Sequence, residues 1–166
     1  AAPTNYHTHL FFKFQSATVP NIRSLLDAFP ETPWLFVYRD PVQTMMSHFK
    51  NGVGNGPCLR QRRSPPPATI KILKAESASK ASRVPPENYC AAHLAMLTSS
   101  ALDADGSSDR GLLVDYASMP GALEAYVFPK HFGLSLAPED AQRTHAASSV
   151  YSKARGGRKA GAWESD

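Results

Sequence analysis

Apolar residues along the chain fall into short continuous runs that are separated by helical stripes. The clearest run, Trp34–Tyr38, contains five large apolar residues, which are too few for a typical helix and rich in types that favour strands. Similar runs occupy residues 9–14 and 111–116. Each run predicts a strand that is buried in a sheet.

Helices are predicted between and after these strands, because apolar residues there recur at spacings of three and four. The pattern places helices over residues 20–29, 41–49, 86–102 and from about 120 to 131, a short helix near 68–75, and another from residue 136. A strand, a helix, a strand and a helix within fifty residues are typical of parallel βαβ units with right-handed crossovers. The sequence therefore predicts an α/β fold.

The turn after the central run is the most informative stretch. Asp40 is a good N-cap and Pro41 suits the first position of a helix whose apolar stripe is Val42, Met45, Met46 and Phe49. Arg39 ends the strand, and Ser47 lies off the stripe, eight residues after Arg39. Ligands of open α/β sheets bind at the carboxyl ends of strands, and a helix start carries roughly half a positive charge. The stretch predicts an anion site at Arg39 and Ser47; the alternative is a capped helix start beside a solvated arginine.

Length and charge narrow the possible partners. With 166 residues, 42% of them hydrophobic, the chain is long enough for one domain with a core. The net charge is +4, and a basic, loop-like segment that we expect to be mobile spans residues 51–86. This segment favours anionic partners, although a solvated loop is the alternative. Its seven basic residues, set against Glu76 alone, are Arg60, Arg62, Arg63, Lys71, Lys74, Lys80 and Arg83.

Several classes of function are disfavoured. Cys58 and Cys90 give no disulfide framework and no metal-ligand spacing, and Cys90 is interpreted as a small core residue. The glycines of residues 51–57 follow a helix rather than a strand, which excludes a dinucleotide-binding loop. The basic segment contains no aromatic residue to stack on bases, which argues against nucleic acid. No run approaches the roughly 18 apolar residues of a membrane span.

The strand, turn and helix around Arg39 resemble those of the sulfotransferases that use 3′-phosphoadenosine 5′-phosphosulfate (PAPS). In that family a strand ends in an Arg-Asp-Pro-like turn, and a serine eight residues after the arginine joins it on the 3′-phosphate of the cofactor. Arg39 and Ser47 match this spacing. The resemblance implies a P-loop NTPase-like fold, with a three-layer arrangement of a parallel sheet flanked by helices, of which residues 1–166 form part of one domain.

The resemblance also assigns roles to other residues. Lys13 matches the lysine near the transferred sulfuryl group, and a lysine in a buried strand is costly unless it faces a cleft or an anion. The family's catalytic histidine is replaced by Gln15, which cannot accept a proton at neutral pH, so the base is unassigned. Tyr116 takes the place of the tyrosine against the adenine ring. The glycine-containing basic tail resembles the family's late loop over the 3′-phosphate, which makes Lys153, Arg155 and Arg158 candidate cofactor ligands, with Lys159 as an alternative.

The function implied is transfer of a sulfuryl group from PAPS to a hydroxyl or amine acceptor, such as an acidic glycan or a small alcohol or amine, without a metal. The family's 5′-phosphosulfate loop would lie upstream of Ala1, so we expect these residues alone to be inactive. The resemblance is compatible with the cytosol and with the Golgi membrane. Two alternatives stay open. One is a non-catalytic anion-binding domain of the same fold, and the other is a P-loop kinase, which needs a Gly-x-x-x-x-Gly-Lys loop upstream.

Overall fold

The computed structural model describes residues 9–50, 52–119 and 121–148 and shows a mixed α/β protein. Its sheet has two parallel strands, β1 (Trp34–Tyr38) and β2 (Gly111–Asp115). Trp34 pairs with Gly111 and Tyr38 with Asp115, so the two carboxyl ends lie side by side. Two of the three predicted strands are confirmed, and they are parallel.

Helices make up most of the remaining described chain. They are α1 (Ile22–Ala28), α2 (Pro41–Phe49), α3 (Pro67–Ile72), α4 (Ala78–Arg83), α5 (Pro86–Asp105), a π-helical segment (Leu123–His131) and α6 (Pro138–Ser148). Every one of these helices except α4 was predicted, and α5 extends three residues beyond its predicted end. Helix α4 lies in the segment that the sequence predicts to be loop-like. None of the helices in the described ranges combines the length and the apolar character needed to cross a bilayer.

Helix α5 is the centre of the core. It packs against α1, α2, α3, β2 and two 3₁₀ turns, Ser16–Asn21 and Pro57–Leu59. Small side chains on its buried surface let these neighbours approach closely, while Tyr89 and Met96 fill the larger gaps. The buried residues of α5 are Tyr89, Cys90, Ala92, His93, Met96, Leu97, Ala101 and Ala104.

The basic segment is not the irregular loop that its composition suggests. It contains α3, α4 and short 3₁₀ turns, and part of it is buried. Thr69 of α3 is fully buried and donates a hydrogen bond to the sulfur of Met96 at 3.2 Å. Nη2 of Arg62 donates to the carbonyl oxygen of Val84 at 2.6 Å, which joins two ends of the segment. Its remaining basic side chains are exposed, and they are Arg60, Arg63, Lys71, Lys74, Lys80 and Arg83.

The prediction of a buried strand over residues 9–14 is wrong. Residues 9–15 form neither strand nor helix, and Leu10 and Phe12 are 78% and 73% exposed. Phe11 makes an edge-on contact with the ring of Phe132, with centroids 5.2 Å apart. An apolar run becomes a strand only where a neighbouring strand satisfies its backbone groups, and the described residues provide none here. The three-layer sheet implied by the resemblance is therefore not confirmed.

Asp40 fixes the start of α2, as its position before Pro41 predicts. Its Oδ1 accepts a hydrogen bond from the backbone N–H of Gln43 at 2.9 Å. We expect Asp40→Ala to lower the free energy of unfolding by about 1 kcal/mol, because a helix N–H loses its partner. Urea denaturation measures the change. Asp40→Asn keeps a capping oxygen and should stay within a few tenths of a kcal/mol of the wild type; equal stability of the alanine and asparagine variants would contradict the capping role.

Candidate anion site at the carboxyl edge of the sheet

Arg39 and Tyr116 meet at the edge where the two parallel strands end. Arg39 directly follows β1 and Tyr116 directly follows β2. The Cζ atom of Arg39 lies 5.3 Å from the centroid of the Tyr116 ring, and both side chains are half-buried. This distance is typical of a cation–π contact. The structure thus brings together two of the residues that the sequence assigns to the cofactor.

Ser47 lies on the same side of α2 as the Arg39 guanidinium. Nε of Arg39 donates a hydrogen bond to Oε1 of Gln43 at 2.9 Å. Ser47 is four residues beyond Gln43, so the two residues occupy one face of the helix, one turn apart. Both are exposed. Arg39, Gln43 and Ser47 therefore form a polar row along α2.

Gln43 is a site residue that the sequence interpretation missed. Its Oε1 accepts the hydrogen bond from Nε of Arg39, and Gln43 lies one helical turn before Ser47. The available signal was its spacing, because Gln43 is four residues after Arg39 and four before Ser47. A guanidinium held at Nε still presents its two terminal nitrogens, which carry the remaining N–H donors.

Asp115 positions Tyr116 at the end of β2. The Asp115 Oδ1 atom accepts a hydrogen bond from the N–H of Ala117 at 2.9 Å, and its carbonyl oxygen accepts one from the hydroxyl of Ser118 at 2.6 Å. These bonds fold Tyr116–Ser118 into a 3₁₀ turn. The strand therefore stops at Asp115, and the tyrosine ring is directed to the side of the sheet where Arg39 lies.

The start of α2 is not the anion-binding element. The Asp40 carboxylate already accepts the hydrogen bond of the Gln43 N–H, so the first turn carries its own negative charge. The helix start therefore cannot supply the attraction that its dipole suggests when considered alone. An anion at this edge would be bound by the side chains along the exposed face of α2, chiefly Arg39 and Ser47.

Lys13 and Gln15 lie outside any strand. Lys13 is exposed in the irregular segment 9–15, so the cost of burying a lysine in a strand does not arise. Gln15 is exposed in the same segment. The predicted tail residues lie outside the described part of the chain, and they are Lys153, Arg155 and Arg158.

A second cluster, formed by His48, Cys58 and Cys90, lies where α2 packs against α5. Cys58 and Cys90 are bonded as a disulfide, with Cα atoms 5.2 Å apart, and both are fully buried. Nδ1 of His48 lies 4.0 Å from Sγ of Cys90. Cys90 is a buried core residue, as the sequence predicts, but the expectation that the two cysteines give no disulfide framework is wrong. The pairing escaped the sequence interpretation because the cysteines are 32 residues apart and no local motif connects them.

Two further polar groups of α5 are buried near this cluster. The Tyr89 hydroxyl and Nδ1 of His93 have no hydrogen-bond partner among the described residues. Burial lowers the pKa of His93 below its ordinary value of 6.5, and repulsion from His48 lowers it further. Burial raises the pKa of Tyr89, while the positive charge of Arg62 opposes that rise. The folded protein therefore favours neutral His93.

Neutral burial of His93 predicts a loss of stability in mild acid. Below the unfolded-state pKa of about 6.5 the unfolded chain takes up a proton that the folded chain resists. The contribution of neutral His93 to the free energy of unfolding is complete above that pH. It declines as the pH falls, with a slope of at most about 1.4 kcal/mol per pH unit. Urea denaturation between about pH 5 and 7.5 should show the decline in the wild type and a smaller one in His93→Leu. An unchanged pH dependence in His93→Leu, with His145→Ala as control, would refute the assignment.

Comparisons of the chain with protein-family models, with curated proteins and with solved structures gave no match. The resemblance to sulfotransferases therefore rests on the residues themselves. Among the described residues, the geometry that bears on it is the contact of Arg39 with Tyr116 at the carboxyl edge of the sheet, with Ser47 on the face of α2 that also carries Gln43.

Proposed function

We propose that the protein binds PAPS at the carboxyl edge of its parallel sheet and transfers the sulfuryl group to a hydroxyl or amine acceptor. The observation that carries the proposal is the 5.3 Å contact between Arg39 and Tyr116, which lie at the ends of adjacent parallel strands. These residues, together with Ser47, are the ones that the resemblance assigns to the 3′-phosphate and the adenine. In this proposal β1 and β2 belong to a larger P-loop-like sheet.

Each residue of the site has a distinct role in the proposal. The terminal nitrogens of Arg39 donate charge-assisted hydrogen bonds to the 3′-phosphate, and the Ser47 hydroxyl donates another from the next turn of α2. Gln43 holds the guanidinium in place through its bond to Nε. The ring of Tyr116 lies against the adenine. The site would thus distinguish a 3′-phosphorylated adenosine from other adenosine nucleotides.

The transfer step places different demands on the chain. The acceptor oxygen or nitrogen attacks sulfur in line with the departing phosphate, and binding energy from the remote 3′-phosphate holds the reactants in position. Lys13 would balance the charge on the moving group, which requires its exposed segment to approach the carboxyl edge when the cofactor is bound. The six exposed basic residues of the segment 51–86 favour an acidic acceptor such as a sulfated or carboxylated glycan.

A non-catalytic anion-binding domain is the second candidate function. It is favoured by Gln15, which replaces the family's base, and by the position of Lys13 outside any strand. Because residues 1–166 alone are expected to be inactive, the test uses a chain extended upstream by a 5′-phosphosulfate loop. Its incubation with radiolabelled PAPS and three acceptors (an acidic glycan, a phenol and an amine) separates the candidates. Labelled product supports transfer, whereas tight nucleotide binding without product in any acceptor supports the second candidate.

Substitution of Tyr116 tests the nucleotide site itself. We expect Tyr116→Ala to weaken binding of 3′-phosphoadenosine 5′-phosphate (PAP) and of adenosine 5′-monophosphate (AMP) by a similar factor, because both contain adenine. Loss of a base-stacking ring costs about 1–3 kcal/mol, which is roughly five- to 150-fold in affinity. Calorimetric titration measures both constants.

The matched control is Tyr126→Ala. Tyr126 is also a partly exposed tyrosine beside a cation, with Lys130 Nζ 5.5 Å from its ring centroid, but it lies in the π-helical segment. Its variant should bind both nucleotides as the wild type does. If Tyr116→Ala retains wild-type affinity for PAP and AMP, adenine does not stack on this ring.

A further inference from the structure

His48, Cys58 and Cys90 form a compact group of potential metal ligands that the proposed function does not use. Nδ1 or Nε2 of His48 and the two sulfur atoms all lie within 4.8 Å of one another. The three residues come from separate elements: the last turn of α2, the 3₁₀ turn Pro57–Leu59 and the first turns of α5. Both cysteines are fully buried and His48 is half-buried. Tertiary packing, rather than a local motif, brings these ligands together.

The chemistry of this group suits a zinc ion once the disulfide is open. Thiolate sulfur and imidazole nitrogen are the ligands that Zn²⁺ prefers, at about 2.3 and 2.0 Å. Tetrahedral geometry then requires the two sulfurs to be about 3.8 Å apart and each to lie about 3.5 Å from the nitrogen. The Nδ1 atom of His48 is already 4.0 Å from Sγ of Cys90. Rotation of the cysteine side chains suffices to separate the sulfurs, because their Cα atoms are 5.2 Å apart.

The surroundings include one more buried imidazole, outside the three residues whose potential ligand atoms lie within 4.8 Å of one another. His93 lies three residues after Cys90 on α5, so the two occupy the same side of the helix. Its side chain is only 7% exposed, and its Nδ1 has no hydrogen-bond partner among the described residues. A buried imidazole nitrogen without a partner is costly, and it is the kind of group that a metal ion satisfies.

We propose that the reduced protein binds Zn²⁺ through the thiolates of Cys58 and Cys90 and the imidazole of His48. A dithiol reductant gives two electrons and two protons to the Cys58–Cys90 bond and becomes a disulfide itself, which leaves two protein thiols. Zn²⁺ then displaces one proton from each thiol, and the two protons pass to water. Because the sulfurs cannot be bonded to each other and to zinc at the same time, the disulfide and the metal exclude each other.

This exclusion has a structural consequence. In the oxidised protein the disulfide joins the turn Pro57–Leu59 to α5. In the reduced protein the zinc ion joins the same two elements and adds the end of α2 through His48. Metal binding then replaces the covalent connection, and its free energy contributes to folding. The reduced chain is therefore expected to fold more stably with Zn²⁺ than without it.

Zinc titration of the oxidised and reduced chains tests the proposal. The chain is reduced with a phosphine in denaturant and refolded with reductant present, and its zinc affinity is measured by competition with a chromophoric chelator. Co²⁺ replaces Zn²⁺ in a parallel sample to report sulfur ligation by its sulfur-to-cobalt charge-transfer band. We expect one tightly bound ion per reduced chain, a charge-transfer band and a raised midpoint of urea denaturation. The oxidised chain, which has the same sequence, should show none of these.

Two histidine variants distinguish this site from a simple dithiol. His48→Ala should weaken zinc binding by more than the roughly 10–100-fold that loss of an outer partner of a metal ligand costs. His145→Ala removes a largely exposed histidine of α6 and should bind zinc as the wild type does. The proposal is overturned if the reduced chain binds zinc no better than the oxidised chain, if zinc does not stabilise the reduced chain, or if His48→Ala retains wild-type affinity.

Discussion

Replacing both Cys58 and Cys90 with alanine should lower the free energy of unfolding by about 3–4 kcal/mol. The disulfide closes a loop between residues 32 positions apart, so breaking it returns conformational freedom to the unfolded chain. Both side chains are fully buried where the turn Pro57–Leu59 packs on α5, and the alanines also leave unfilled space there. Urea denaturation under non-reducing conditions measures the loss. The dependence of the free energy on urea should also steepen, because the unfolded chain becomes less compact.

Wild-type protein reduced in the presence of a chelator is the matched control. It has the native side chains but lacks the covalent connection, so most of the loss should appear here as well. If the double-alanine variant is destabilised and the reduced wild type is not, the loss comes from packing rather than from the cross-link. If neither loses stability, the disulfide does not hold the segment 51–86 to α5.

The elements that could be predicted from the sequence are those that local signals determine. Helix α2 begins where Asp40 and Pro41 place it, because a cap and a proline act within one turn. Both strands of the sheet were predictable because their apolar runs are too short for helices. The parallel direction was predicted from a strand–helix–strand–helix order within the first fifty residues, whereas the observed parallel pair joins β1 to β2.

The predictions that failed depended on what each segment packs against. Residues 9–14 contain four large apolar side chains, yet no described strand pairs with them, and they lie exposed. In α2 the stripe predicted from spacing included Val42 and Met46, which are 63% and 69% exposed, whereas Met45 and Phe49 are partly buried. Helical spacing gives the width of an apolar face, but the position of α5 decides which part of that face is covered.

Some features of the candidate site could likewise be predicted from the sequence, and others could not. Arg39 and Tyr116 could be expected to meet, because each ends a strand and parallel strands share an edge. The role of Gln43 becomes apparent only from its side-chain hydrogen bond with Arg39. His48 lies beside the disulfide because three elements that are distant in the sequence pack together. No spacing in the sequence indicates this packing.

The second large effect is expected at Arg39. PAP carries a 3′-phosphate that AMP lacks, and Arg39 is the charged residue that the proposal places on that group. Arg39→Ala should therefore weaken PAP binding while leaving AMP binding nearly unchanged. A lost charge-assisted hydrogen bond costs about 1.5–3 kcal/mol, which is roughly ten- to a hundredfold in affinity. Arg143→Ala is the control, because Arg143 is an exposed arginine of α6 that forms an ion pair with Asp140.

The most direct test of the account is the ratio of the PAP and AMP dissociation constants, measured by calorimetric titration for the wild type, Arg39→Ala and Arg143→Ala. The account predicts that the wild type and Arg143→Ala prefer PAP, and that the preference disappears in Arg39→Ala. Equal affinity of the wild type for the two nucleotides, or a preference for PAP that survives in Arg39→Ala, would contradict the assignment of the 3′-phosphate to this edge of the sheet.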